Sequence, residues 1–258
     1  MPASKNGRTR AARGTVALVR SAAAVVVLVA SARAHERDFT LSDDWRLPHA
    51  TELELESFSL FDPHHHDLVQ QFKLEYGVTD HFTIEPEIEL ERPAGDRFET
   101  AALAMDAYVN FFDFKVGRLL PAFKLEYEHP RGDEESGDRM EAKAILSRYG
   151  EAGDDLTINV SRVFGLEPGV EHESELTAGY ARPLDWLPDS WQLEESGLKL
   201  GIELLQTLQG DEHDARVGPL VSWRASRHFH GLLAWVAAVN HRHGENHDEL
   251  RLVLEWEF

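Results

Sequence analysis

Two residue types in this chain could do chemistry, histidine and the carboxylates, and each is arranged in its own way. Histidine clusters in stretches that read as loops. His64, His65 and His66 run straight into Asp67, and His241, His243 and His247 lead into Asp248. Imidazole and carboxylate at that density are ligands for Zn²⁺, Cu²⁺ or Ni²⁺, so these six histidines are the candidate site for a divalent metal. Neither cluster has the i, i+4 spacing of a rigid helix face, and solvated polar loops are the competing reading. Nucleophile and base meet only as chain neighbours, in His172-Glu173-Ser174, and Asp211-Glu212-His213 has no matching acidic pair. Adjacency along the chain is not triad geometry, and G-x-S-x-G is absent, so no catalytic residues are assigned and the chain is read as a non-enzyme.

The carboxylates follow a stricter rule. In residues 71–92, Phe72, Leu74 and Tyr76 alternate with Gln71, Lys73 and Glu75, and Phe82, Ile84, Ile88 and Leu90 alternate with Glu85, Glu87, Glu89 and Glu91. Period two on both sides of a turn at Gly77 to Asp80 predicts a hairpin, apolar on one face and charged on the other. The pattern recurs down the chain and gives about twelve strands, an even number, and no segment keeps a helical period. Most segments have the length of a tilted strand crossing a bilayer. Tight turns alternate with longer charged loops such as Arg131 to Asp138, and only the long linker Pro183 to Ser196 breaks that rule. Tyr76, Phe82, Phe111, Phe112, Tyr180, Trp223, Phe229, Trp256 and Phe258 all fall beside the tight turns, where an interfacial aromatic girdle would stand.

The N-terminus supplies a compartment. Lys5, Arg8, Arg10 and Arg13 precede the apolar run Ser21 to Ala30 and the small-x-small sequence Ala32-Arg33-Ala34. Residues 1–34 are read as a secretory signal peptide, because about ten apolar residues fall short of the roughly twenty needed for a helical span. Residues 35–50 are expected as an N-terminal periplasmic segment and 51–258 as the barrel. With 46 Asp+Glu against 26 Lys+Arg the formal charge is −20, which disfavours nucleic acid as a partner. Cysteine is absent, which excludes disulfides.

The closing segment LRLVLEWEF, with Leu250, Leu252, Leu254, Trp256 and Phe258 alternating, resembles the last strand of Gram-negative outer-membrane β-barrels. The resemblance is to porin-like, transporter-type barrels of unassigned substrate. It implies an all-β, antiparallel up-and-down transmembrane barrel in the outer membrane of a Gram-negative bacterium. It also implies outer-membrane lipid as surroundings and recognition of Leu254, Trp256 and Phe258 by the barrel assembly machinery. In lipid every backbone polar group must be paired, so spanning strands must close on themselves. A secreted β-sandwich is the competing architecture, since its strands also alternate.

Closure turns the charged face inward. The expected lumen residues are Lys73, Glu75, Glu85, Glu87, Glu89, Lys124, Glu126, Lys199, Glu203 and Arg251. Two readings stay open: an acidic, cation-preferring pore for small solutes or ions, or a filled interior in which the acids pair with Lys73, Lys124, Lys143, Lys199, Arg216 and Arg251. Matching Tyr76 with Phe82 across the hairpin places Lys73 opposite Glu85. Pro86, Pro121 and Pro219 are expected to point outward and to mark local bulges.

Overall fold

The computed structural model describes residues 39–131, 137–167, 172–184, 197–209, 212–226, 228–239 and 248–258. The proposed signal peptide, most of the Pro183 to Ser196 linker, and His241, His243 and His247 lie outside the described residues.

Twelve strands follow in chain order: β1 Leu53–Phe61, β2 Leu68–Thr79, β3 Phe82–Arg92, β4 Glu99–Asn110, β5 Leu119–Pro130, β6 Arg139–Tyr149, β7 Asp155–Gly165, β8 Glu173–Pro183, β9 Leu198–Gln209, β10 Glu212–Ser226, β11 Phe229–Ala238 and β12 Glu249–Glu257. Each pairs antiparallel with its sequence neighbours, and β1 pairs with β12 to close the barrel. Closure leaves the sheet no open edge, the condition for a sheet surrounded by lipid. A two-layer sandwich is thereby excluded.

Alternation decides what faces out. Phe72, Leu74, Ile84, Met105, Phe123, Leu146, Ile158, Val160 and Ile202 are apolar yet exposed, up to 56% for Val160, and together they form an outer belt. Aromatic side chains border it at both ends. Tyr76, Phe111, Phe112 and Tyr180 lie at the end with the tight turns, and Phe98, Tyr127, Phe164 and Trp235 toward the other. The sequence had pointed only to the first of these girdles.

Three expectations of detail change. Lys73 faces Glu87, not Glu85, because β2 continues to Thr79, which takes the place opposite Phe82 expected for Tyr76; with the one-residue bulge at Gly77/Thr79 the register ends two residues from the expected one, and both side chains stay on the inner face. Pro86 and Pro219 point outward as expected, yet the register runs unchanged past both. The bulges are instead at Gly77/Thr79, Glu89/Leu90 and Arg224/Ser226. Finally, the inner wall is not uniformly polar: Phe58, Leu205, Leu220, Leu232, Val236 and Val253 are buried inside it.

Two of those apolar side chains, Leu220 and Val236, have a partner from the N-terminal stretch. Residues 39–47, from the stretch read by sequence as periplasmic, run through the interior of the barrel. Phe39 packs on Ala181, Leu220, Ala234 and Val236. Trp45 packs on Tyr108, Leu120, Ala122, Ile145 and Tyr149, with Leu47 alongside. The segment stays inside because its aromatic residues find apolar ground on that wall, and burial of each is worth ~1.5–3 kcal/mol. Gly179 makes room for it, since a Cβ there would overlap the Phe39 ring.

Candidate functional site

The site is the interior, and its wall has two characters. Strands β8 to β12 supply the apolar ground under Phe39, and the tight-turn ends of β4 to β6 supply that under Trp45. Strands β1 to β6 supply charge: Glu54, Glu56, Lys73, Glu85, Asp106 and Lys124 are all buried there, with Glu75, Glu87, Glu126, Glu141 and Lys143 half-buried beside them. The strand period puts every second residue inside, and in the middle of these strands an ionisable residue recurs at such positions, as in Lys73, Glu75, Glu85, Glu87, Lys124 and Glu126.

Residues 39–47 bind both halves. The Thr40 hydroxyl donates to Glu203 at 2.6 Å and the Leu41 backbone N–H donates to the same carboxylate at 2.7 Å. Asp43 crosses to the charged half, where the Lys143 ammonium lies at 2.7 Å and that of Lys124 at 3.9 Å. The Thr157 hydroxyl donates to the Asp43 carbonyl, and the Trp45 N–H to the Ser147 hydroxyl at 3.0 Å. The Tyr108 hydroxyl donates to the Asp44 carbonyl. Hydrogen bonds to charged groups contribute more than neutral ones, so Glu203 and Asp43 are the polar anchors.

All ten residues expected in the lumen point inward. The six cations expected to pair with acids each do so: Lys73 with Glu87 at 3.3 Å, Lys124 with Asp106 at 2.8 Å and Glu126 at 3.4 Å, and Lys143 with Asp43 and Glu141. Lys199 meets Asp155 at 2.5 Å, Arg216 meets Asp214 at 2.6 Å, and Arg251 meets Glu249 at 2.5 Å. Arg216 also pairs with Glu249, joining β10 to β12. This is the filled, ladder-like arrangement in the described interior. Among the described residues of the wall, acidic side chains outnumber basic ones.

Two cavities flank the crossing segment on its charged side. The larger, about 130 Å³, is lined by Asp43, Gln71, Lys73, Glu89, Glu128 and Lys143 among others. The smaller, about 30 Å³, is lined by Asp43, Arg46, Glu75, Glu85 and Glu255 among others and lies toward the tight-turn end. Asp43 and Lys73 belong to both linings and separate them.

Sequence reasoning missed a buried relay. The Ser222 hydroxyl lies 2.9 Å from His230 Nε2, and His230 Nδ1 lies 2.9 Å from Glu255. The three come from β10, β11 and β12, so only register could have brought them together. The order serine, histidine, acid is that of an activated nucleophile. Yet Ser222 and His230 are each only 2% exposed and line neither of the two cavities above. A carbonyl carbon must reach the hydroxyl for that chemistry, and here the hydroxyl is covered.

The histidine loop is less organised than its composition. His65 Nδ1 lies 2.7 Å from Asp62, and His64 Nε2 lies 3.8 Å from Asp248, bringing the β1–β2 turn beside the residue that precedes β12. His66 has φ 63°, a left-handed turn position. Asp62 is partly desolvated, which raises its pKa, but the His65 ring and the backbone N–H groups of His64 and His65 outweigh that and hold it at about 2. His64, His65 and His66 do not converge on one point.

Searches by family and by curated relative both came back empty: no protein family model and no curated protein matches the chain. Solved structures do match. The NanC porin superposes with a TM-score of 0.61 at 6% identity, covering 79% of this chain and 100% of that one. The KdgM porin gives 0.57 at 7% identity, with 80% and 99% covered. An outer membrane channel from Pseudomonas putida F1 gives 0.58 at 11% identity, with 86% and 100% covered. At these identities the likeness is one of fold, a porin-like barrel of outer-membrane type.

Proposed function

We propose that this protein is an outer-membrane channel for small cationic solutes or ions, with residues 39–47 as a plug that limits passage. Export by the leader 1–34 and assembly through Leu254, Trp256 and Phe258 complete that reading. The observation that carries it is the acidic wall of β1 to β6, together with cavities that approach Asp43 and Lys73 from both sides. A carboxylate-lined passage attracts cations and repels anions. The KdgM porin has been solved in complex with disordered oligogalacturonate, a polyanion. The same barrel shape carrying this wall favours the opposite charge. With the segment in place, the spaces beside it are of the size of a few waters, so solutes larger than a hydrated ion require its displacement.

The test is ion selectivity in a planar bilayer under a tenfold KCl gradient. The expected reversal potential has the sign of K⁺ permeation, for the wild type and for a variant with the plug released. Anion preference would remove the acidic-lumen reading. A released variant that folds but never conducts would remove the channel.

A further inference from the structure

At the tight-turn end of the seam between first and last strands, three carboxylates meet. Oxygens of Glu52, Glu54 and Glu257 all lie within 4.8 Å of one another, and among the described residues this is the one group of three potential metal ligands brought that close. Glu54 and Glu257 are direct cross-strand partners in the closing β1–β12 ladder. They are 5% and 6% exposed. Both side-chain oxygens of Glu257 are buried with no hydrogen-bond partner among the described residues. Arg224 acts on Glu257 electrostatically without hydrogen-bonding it.

Like charges directly opposite on neighbouring strands are unfavourable, and a buried carboxylate without a partner is more so. A bound cation reverses both terms at once, since it attracts all three carboxylates and accepts their lone pairs. We propose that Glu52, Glu54 and Glu257 bind one Ca²⁺ ion and that this ion fastens the barrel seam. The donors are all oxygen, the set that hard cations take. Three carboxylates, each able to bind through one or two oxygens, fit the high and irregular coordination of Ca²⁺ better than the strict octahedron of Mg²⁺. Two of the ligands stand on paired strands, so their spacing is held by the ladder. Glu52 is fixed by the turn, its carboxylate accepting the His49 N–H at 2.7 Å, and it is only half-buried, which leaves the ion a path from solvent. These residues are separate from the His64 to His66 turn, which lies at the other end of β1.

The experiment uses the full mature chain refolded in detergent without lipopolysaccharide and stripped with EDTA. Calcium binding is measured by calorimetry, and unfolding by the heat-dependent change in electrophoretic mobility. Wild type is expected to take up one Ca²⁺ more than Glu257→Gln and to unfold at a higher temperature once Ca²⁺ is added. In EDTA the order reverses, with Glu257→Gln outlasting wild type, because the amide removes repulsion. Glu52→Gln, changed at the more exposed ligand, is expected to weaken binding at least tenfold and serves if Glu257→Gln folds poorly. Equal calcium uptake by wild type and both variants would overturn the proposal. So would a wild-type unfolding temperature indifferent to Ca²⁺, the result expected if the carboxylates merely share a proton.

Discussion

Releasing the plug is the perturbation whose size can be worked out most fully. Residues 39–47 are held by two buried aromatic side chains, Phe39 and Trp45, together worth ~3–6 kcal/mol by burial. Hydrogen bonds from Thr40 and Leu41 to Glu203, and the ion pair of Asp43 with Lys143, add ~1.5–3 kcal/mol each as charged contacts. The neutral hydrogen bonds to Asp43, Asp44 and Trp45 backbone atoms add ~0.5–1.5 kcal/mol each. Against this stands ~1–2 kcal/mol of backbone ordering for every residue of the segment. The two sides come to similar totals, so the balance between plugged and released states lies within a few kcal/mol of even. The double variant Phe39→Ala/Trp45→Ala removes ~3–6 kcal/mol, which shifts the plugged-to-released ratio by ~10²–10⁴. The barrel itself should survive, because its twelve ladders do not depend on the segment. Single-channel recording is expected to show brief, rare openings in wild type and a long-lived conducting state in the variant. Gly179→Leu, which intrudes on the Phe39 ring, should act in the same direction. Matching open probabilities in wild type and double variant, with both barrels folded by electrophoretic mobility, would refute the plug.

Two further outcomes follow from the same geometry. Ser222 should resist covalent labelling by a fluorophosphonate probe in the folded protein, because its hydroxyl is covered; stoichiometric labelling would turn the buried relay into an active site. His230→Ala should lower resistance to denaturant by ~1–3 kcal/mol through loss of its hydrogen bonds to Ser222 and Glu255. In the β1–β2 turn, Asp62 has a folded pKa depressed from the usual 3.8 to about 2. The turn contacts it makes are therefore complete above pH 3.8 and lost as pH falls through about 2. A carboxyl carbon titration by NMR should show that midpoint, and His65→Ala should move it back toward 3.8; an unmoved midpoint would detach His65 from the turn.

The strands and their faces were legible because period two reports directly on which side of a sheet a residue lies. Lys73, Glu85 and Lys124 could be assigned inward from their outward neighbours alone. Register was less legible: a tighter turn, with Thr79 opposite Phe82, and a one-residue bulge at Gly77/Thr79 together moved the partner of Lys73 from Glu85 to Glu87, and alternation is blind to a shift of two. The apolar inner patch was hidden for a related reason. From Gly231 to Val239 both faces are small or apolar, so alternation fades where Leu232 and Val236 turn inward. That fading was itself a signal, since apolar side chains inside a barrel need something dry to pack against. Phe39 and Leu41 answer it at Ala234 and Val236, but Thr40 and Leu41 also reach Glu203, more than 160 positions along the chain, and no local pattern encodes such a pairing.

The division of the inner wall explains how one short segment could both close a passage and leave its selectivity intact. Phe39 rests on the apolar half and Trp45 on the apolar floor near the tight turns, so those surfaces are covered when the plug is in and offer an ion nothing when it is out. Asp43 alone reaches across to Lys124 and Lys143. When it leaves, two ammonium groups stay behind among Asp106, Glu126 and Glu141, which already neutralise them. The narrowest charged stretch would then be governed by the surplus carboxylates of β1 to β3. Asp43→Asn should therefore loosen the plug without reversing ion preference, whereas Glu85→Lys combined with Glu87→Lys should reverse it. A variant of the second kind that still prefers K⁺ would place the selective surface outside β3.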